Sequence, residues 1–140
     1  MFTEDDLIPV SALCHLVYCP RQCALMFIEN IWEDNLFTIE GSQLHEKVHQ
    51  DEPLEARGDL RIARSLRIKS NRLGLTGITD VVEFHKIEEN IQNENCFRFP
   101  GEPDPWRVFI VEYKRGRLRH EKGFEVQLCA EALCLEEMTG

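Results

Sequence analysis

The chain has 140 residues, 43% of them apolar, with 25 acids against 16 bases and a formal net charge of −9. That length can bury one core without disulfides and is too short for two ordinary domains. No apolar run approaches the roughly 18 residues that span a bilayer, and the acidic start MFTEDDLIPV lacks the basic segment of a secretory signal. A cytoplasmic protein with no membrane partner is expected, its six cysteines serving as thiols or metal ligands rather than as a disulfide framework.

In chain order, Ser11 caps a predicted helix over 12–18. Pro20, which has no N–H to lose, suits the first turn of a second over 21–29. Residues 40–51 (EGSQLHEKVHQD) predict a third, with Leu44 and Val48 on one face. The period then changes to two. Leu66, Ile68 and Ser70 alternate with Arg67 and Lys69, which predicts a strand with Asn71-Arg72 as its turn. Residues 73–84 read as the returning strand, rich in β-branched Thr76, Ile78, Thr79, Val81 and Val82. Residues 88–105 are polar and rich in Pro and Asn; they read as a loop or insertion. Residues 106–113 are nearly all apolar, the pattern of a strand central in its sheet, and Gly116 ends it. A last helix spans 121–138, with Phe124, Leu128, Leu135 and Met138 as candidates for its buried stripe. This order predicts a single α/β domain over 1–140, a small mixed central sheet flanked by helices.

The acidic total hides a segregation of charge. Residues 57–72 and 114–122 hold 11 of the 16 bases against two acids, Asp59 and Glu121. A segregated basic face binds phosphate whatever the net charge; two solvated surface segments are the plainer reading.

Three positions carry chemistry. Glu112 and Lys114 are two apart on a predicted strand and share a face. Burying either alone is costly, so each needs the other, as a salt bridge at the strand end, or a ligand. Asp80, in the segment GITD at 77–80, sits beside Val81 and Val82 on a strand, where acids are uncommon. That strand precedes the Glu112 strand, so the two can pair and their carboxylates can hold one hard cation, Mg²⁺ or Mn²⁺. His45 can face the sheet from its helix and add a nitrogen ligand, with Glu40 and Glu46 nearby. Residues 45–49 (HEKVH) also fit the zinc-protease pattern H-E-x-x-H, which accounts for neither Asp80, nor the E-x-K strand, nor the basic stretches.

The order His45, G-x-x-Asp80, Glu112-x-Lys114 and Gln127 resembles the RecB-type branch of the PD-(D/E)xK nucleases. The segments YCPR at 18–21 and QLCAEALCLEEM at 127–138 are similar to the CRISPR-associated RecB-like exonucleases, the "Cas-four" family, from about Ser11 to Met138. The resemblance implies a restriction-endonuclease-like core and a metal-dependent DNA nuclease that trims spacer precursors during CRISPR adaptation. It implies that His45, Asp80, Glu112 and the backbone carbonyl of Tyr113 ligate Mn²⁺ or Mg²⁺. Lys114 would then position the attacking water and stabilise charge on phosphorus, while Gln127 orients the DNA end or the lysine. The implied partners are DNA with single-stranded ends and the spacer integrase (Cas-one/Cas-two), as separate subunits or as a fusion. The basic stretches, with Arg64, Arg67, Lys69, Arg115, Arg117 and Arg119 as candidate DNA contacts, flank the two acid-bearing strands as a phosphate track would.

Two departures accompany the resemblance. Many family members carry tyrosine four residues after the glutamine, where this chain has Glu131, which is expected to alter contact with the DNA end. The family also holds a four-iron cluster on one N-terminal and three C-terminal cysteines. Cys19 matches the first; Cys129 and Cys134 belong to the glutamine helix and match none of the others. A single thiolate cannot hold such a cluster, so the expectation is a domain lacking the iron–sulfur cysteine region, with no intact cluster. The alternative to an active nuclease is a catalytically weak DNA- or partner-binding fragment of one.

Overall fold

Gly58-Asp59 form a two-residue turn between β2 (Leu54–Arg57) and β3 (Leu60–Arg64), with Gly58 at φ +58°, a conformation glycine adopts without strain. This hairpin has no counterpart among the predicted elements. It belongs to a computed structural model that describes residues 1–31, 54–88, 96–114 and 121–140. The other elements are a 3₁₀ turn at Glu4–Asp6, β1 (Ile8–Pro9), α1 (Val10–Tyr18), α2 (Pro20–Phe27), β4 (Arg67–Ser70), β5 (Leu75–Ile78), β6 (Val81–Lys86), β7 (Trp106–Val111) and α3 (Lys122–Thr139). Pro20 opens α2 as expected, whereas α1 starts at Val10 with Pro9, not Ser11, at its cap. The predicted helix over 40–51 lies outside the described residues.

The α/β class holds, but the strands among the described residues form two sheets instead of one central sheet. β2-β3-β6-β7 is antiparallel throughout; in β1-β5-β4, β1 runs parallel to β5 and β4 antiparallel to it. The predicted strand over 73–84 is broken into β5 and β6, one in each sheet. The break has a visible cause. Ser65 takes φ +54° between β3 and β4 and donates its N–H to the Asp80 carbonyl at 3.2 Å, while Thr79 donates to the Leu66 carbonyl at 3.0 Å. Both strands of the long hairpin therefore bend at the same level, as at a bulge. Thr79, Asp80, Val81 and Val82 are buried in succession, which one flat, half-exposed strand of period two does not permit.

The strand predicted to be central, β7, stands at the edge of its sheet among the described residues and stops at Val111. Trp106, Val108 and Ile110 face the core, while Arg107 and Phe109 are exposed. Phe109 meets His85 edge-on at 5.0 Å, so an outward aromatic made a half-buried strand read as fully apolar.

α3 lies across β4 and against α1. Its buried stripe is Gly123, Gln127, Ala130, Glu131, Cys134 and Leu135. Of the four residues predicted for that stripe, Leu135 is buried, Phe124 and Leu128 are half-buried, and Met138 is exposed. The apolar count missed it because the stripe contains a glycine, an amide and an acid. At Gly123 a Cβ would lie 3.1 Å from both the carbonyl oxygen and the Sγ of Cys14, so α1 can approach this closely only over glycine. At the other end of α3, Glu137 accepts a hydrogen bond from Ser70 and another from the Arg72 N–H, tying the helix to the β4–β5 turn.

Residues 96–105, expected to be loop, supply part of the core. Phe97 bridges to Trp106, and Phe97 and Phe99 pack on Phe84 at 5.5 and 5.1 Å between ring centres. The Arg61 guanidinium lies 4.4 Å from the Phe99 ring and 4.6 Å from the Trp106 ring, and is held by Glu102 at 2.7 Å. Trp106 is 2% exposed. Trp106→Ala is therefore expected to cost about 3–5 kcal/mol of stability, read as a fall in the urea midpoint; an unchanged midpoint would mean this cluster does not carry the sheet.

Candidate active site

β6 and β7 pair with Val81 opposite Val111, so one residue further along the register places Asp80 opposite Glu112. Here the ladder ends, and the chain continues through Glu112, Tyr113 and Lys114 without strand pairing. Asp80 is 2% exposed, and its Oδ2 accepts the Tyr113 N–H at 2.8 Å. This bond fixes the main chain between the two residues of the E-x-K segment.

Lys114 Nζ donates to Glu112 Oε1 at 2.7 Å and to Gln127 Oε1 at 3.0 Å. Gln127 Nε2 donates to Glu112 Oε1 at 2.8 Å and to Glu131 Oε1 at 2.9 Å. The salt bridge read from the sequence is thus present, and α3 adds an amide that bonds both of its members. The Glu112 side chain is 7% exposed and that of Lys114 is 33% exposed. The carboxylate is held inside while the ammonium, 5.1 Å above the Phe124 ring, reaches the surface.

Glu131 is 2% exposed and accepts a hydrogen bond from the Gln127 amide. Burial pushes its pKa up to about 7 against the opposing hydrogen bond from Gln127. The Glu112 and Asp80 carboxylates raise it further, while Lys114 opposes them. Its Oε2 has no hydrogen-bond partner among the described residues. The signal for this role was its spacing: Gln127 and Glu131 are four apart and share a helix face.

Asp80 and Glu112 are the two carboxylates opposed across the end of the β6–β7 ladder. Among the described residues no group of three or more His, Cys, Asp or Glu side chains is placed to hold a metal. His45, Glu46 and His49 lie outside the described residues, as do Arg115, Arg117 and Arg119. Cys19 stands between α1 and α2, partly buried, donating its N–H to the His15 carbonyl at 2.8 Å. Beside Lys114, a cleft of about 530 Å³ opens between Cys14, His15 and Tyr18 on one side and Glu121 and Phe124 on the other. Burial and the nearby ammonium of Lys114 hold the His15 pKa down.

The basic stretch 57–72 meets acids in space. Arg57 and Arg64 pair with Glu55, Arg61 with Glu102, Lys69 with Glu4, and Arg72 with Glu137. Arg64 ends β3 in register with Val81, one residue from Asp80. Arg67 and Lys69 are exposed on β4, on the face opposite the buried Ile68 and Ser70. Neither bonds to the Glu112–Lys114–Gln127 network. No helix among the described residues is long and apolar enough to cross a membrane.

No family model matches the chain. Curated relatives do. Over 140 residues it is 37% identical to a CRISPR-associated exonuclease Cas4/endonuclease Cas1 fusion of Geobacter sulfurreducens, covering 94% of this chain and 22% of the relative. A CRISPR-associated exonuclease Cas4 of Rhodospirillum rubrum is 28% identical, covering 96% of this chain and 38% of the relative. One of Francisella tularensis subsp. novicida is 27% identical, covering 98% of this chain and 63% of the relative. The chain therefore spans less than two thirds of the length of each. With an Asp80–Glu112–Lys114–Gln127 constellation at its sheet edge and Cas4 sequences aligned along nearly its whole length, the chain belongs to the Cas4 family.

Proposed function

We propose that this protein is a divalent-metal-dependent DNA nuclease that cleaves single-stranded ends, and that it processes spacer precursors during CRISPR adaptation. The observation that carries the reading is the Lys114 ammonium, held by Glu112 and Gln127 at the exposed edge of a site whose carboxylates are buried. Phosphodiester cleavage builds negative charge on phosphate oxygens, and a pre-positioned cation lowers that barrier without reorganising. Lys114 is such a cation, and its partial exposure lets a phosphate reach it. Asp80 holds the Tyr113 N–H and so fixes where Glu112 and Lys114 stand.

The donor chemistry suits a hard divalent cation. Asp80 and Glu112 oppose each other at the end of the ladder, and Glu112 Oε2 has no hydrogen bond among the described residues. Asp80, Glu112 and the Tyr113 carbonyl would hold the ion, with His45 as a further donor. When bound, the ion supplies Lewis acidity toward phosphate and lowers the pKa of water.

The relative whose name joins Cas4 to Cas1 in one chain supports a second part of the reading, that this domain works beside a spacer-integrating endonuclease. The test is cleavage of end-labelled DNA, single-stranded or with overhangs, in Mn²⁺, in Mg²⁺ and in chelator. Cleavage in either metal and none in chelator is expected. A folded protein that binds the DNA but leaves it intact in both metals would instead be a binding module.

A further inference from the structure

The side-chain amide of Gln127 has two N–H groups and one carbonyl, and all three are used. One N–H goes to Glu112, the other to Glu131, and the carbonyl accepts from Lys114. Turned over by half a rotation, the amide would set its NH₂ against the ammonium and its carbonyl against the Glu112 carboxylate. Donors would face donors and acceptors would face acceptors. Glu112 stands on the segment that follows β7, so a bond to it alone ties the amide to a different element from its own helix. Glu131 is on the same helix as Gln127, one turn on, and anchors the second N–H to the helix itself.

We propose that Glu131 is a positioning residue: its carboxyl holds the Gln127 amide in the orientation that presents a carbonyl to Lys114 and an N–H to Glu112. The position is a poor one for a carboxyl on stability grounds. Glu131 is 2% exposed, one of its oxygens has no partner among the described residues, and burial has moved its pKa to about 7. An apolar side chain of similar size would avoid the desolvation. A group that weakens the fold where it stands, and whose one hydrogen bond orients a site residue, has the profile of a stability–activity trade-off. The catalytic consequence rests on the nuclease reading; the orientation of the amide does not.

The test uses the full chain and two variants, E131L and E131Q, with two readouts. The first is hydrogen exchange of the Gln127 side-chain NH₂ by NMR. In the parent both protons are expected to be protected. In E131L exchange should rise about tenfold or more, while E131Q, which keeps a carbonyl acceptor, should stay within about threefold of the parent. The second is the single-turnover cleavage rate at saturating DNA. E131L should lose about 10- to 100-fold with unchanged DNA affinity, and E131Q should retain most of the rate. A role confined to structure would instead lower the melting temperature and spare the rate.

Gln127 protons that exchange at free-amide rates in the parent would overturn the proposal whatever the variants do, including if E131L fails to fold. E131L indistinguishable from the parent in exchange, or E131Q as impaired as E131L, would overturn it as well. A parent that cleaves nothing defeats the nuclease reading, and the exchange measurements still decide the proposal.

Discussion

Lys114→Ala is expected to lower the cleavage rate by about 10²- to 10³-fold and to leave the fold intact. Its own side chain is one-third exposed, but its loss leaves the Glu112 carboxylate, 7% exposed, without its cation, so about 1–3 kcal/mol of stability should go with it. The rate loss has a different origin: no other lysine or arginine is bonded to Glu112 or Gln127 among the described residues, so nothing there replaces the ammonium. Glu112→Ala should be at least as damaging to the rate, because it removes a candidate metal donor and the shared acceptor of Lys114 and Gln127 together. It should also cost about 1–3 kcal/mol of stability, since it leaves one N–H of Gln127 without its acceptor inside the site. Both variants should therefore melt below the parent while agreeing on cleavage. Single-turnover rates with end-labelled DNA and melts in the same buffer make the comparison. Either variant cleaving at the parental rate would remove this constellation from the chemistry.

The site was more legible in the sequence than the fold around it, for a physical reason. Asp80, Glu112 and Lys114 stand out because each is a polar group in or at the end of a segment that otherwise reads as buried, and buried polar groups need partners; Gln127 came only with the family resemblance. The structure brings all four together. The strand break between Ile78 and Val81 was not legible, because it follows from Ser65, fifteen residues away, taking a left-handed conformation. Nothing local to 73–84 announces it, and β-branched residues run straight through it. The β2–β3 hairpin was hidden differently: Glu55, Arg57, Arg61 and Arg64 made its alternation read as charge, although Gly58-Asp59 is a two-residue turn signal. In α3 the polar members of the buried stripe, Gln127 and Glu131, are those that serve the site. A hydrophobicity pattern discards them for the property that makes them informative.

The same buried carboxyl predicts an unusual slope of stability with pH. An acid whose folded pKa is lowered, such as Glu137 through its bond from Ser70, adds stability at higher pH that is lost on acidification. Glu131 has the opposite sign. Its pKa rises from 4.5 to about 7 on folding, so the folded state holds the proton more tightly. The chain should be most stable, as far as this group is concerned, below about pH 4.5, lose stability as pH climbs toward about 7, and level off above that. The shift corresponds to roughly 2–3 kcal/mol between about pH 5 and about pH 8. Other groups titrate over that range, so the measurement is a difference: urea unfolding of the parent and of E131Q at both pH values, in chelator. E131Q cannot ionise at this position and should gain on the parent by that amount at the higher pH. A gap between the two proteins that stays constant with pH would mean that Glu131 ionises as an ordinary surface acid does, and that the interior of α3 is wetter than its burial implies.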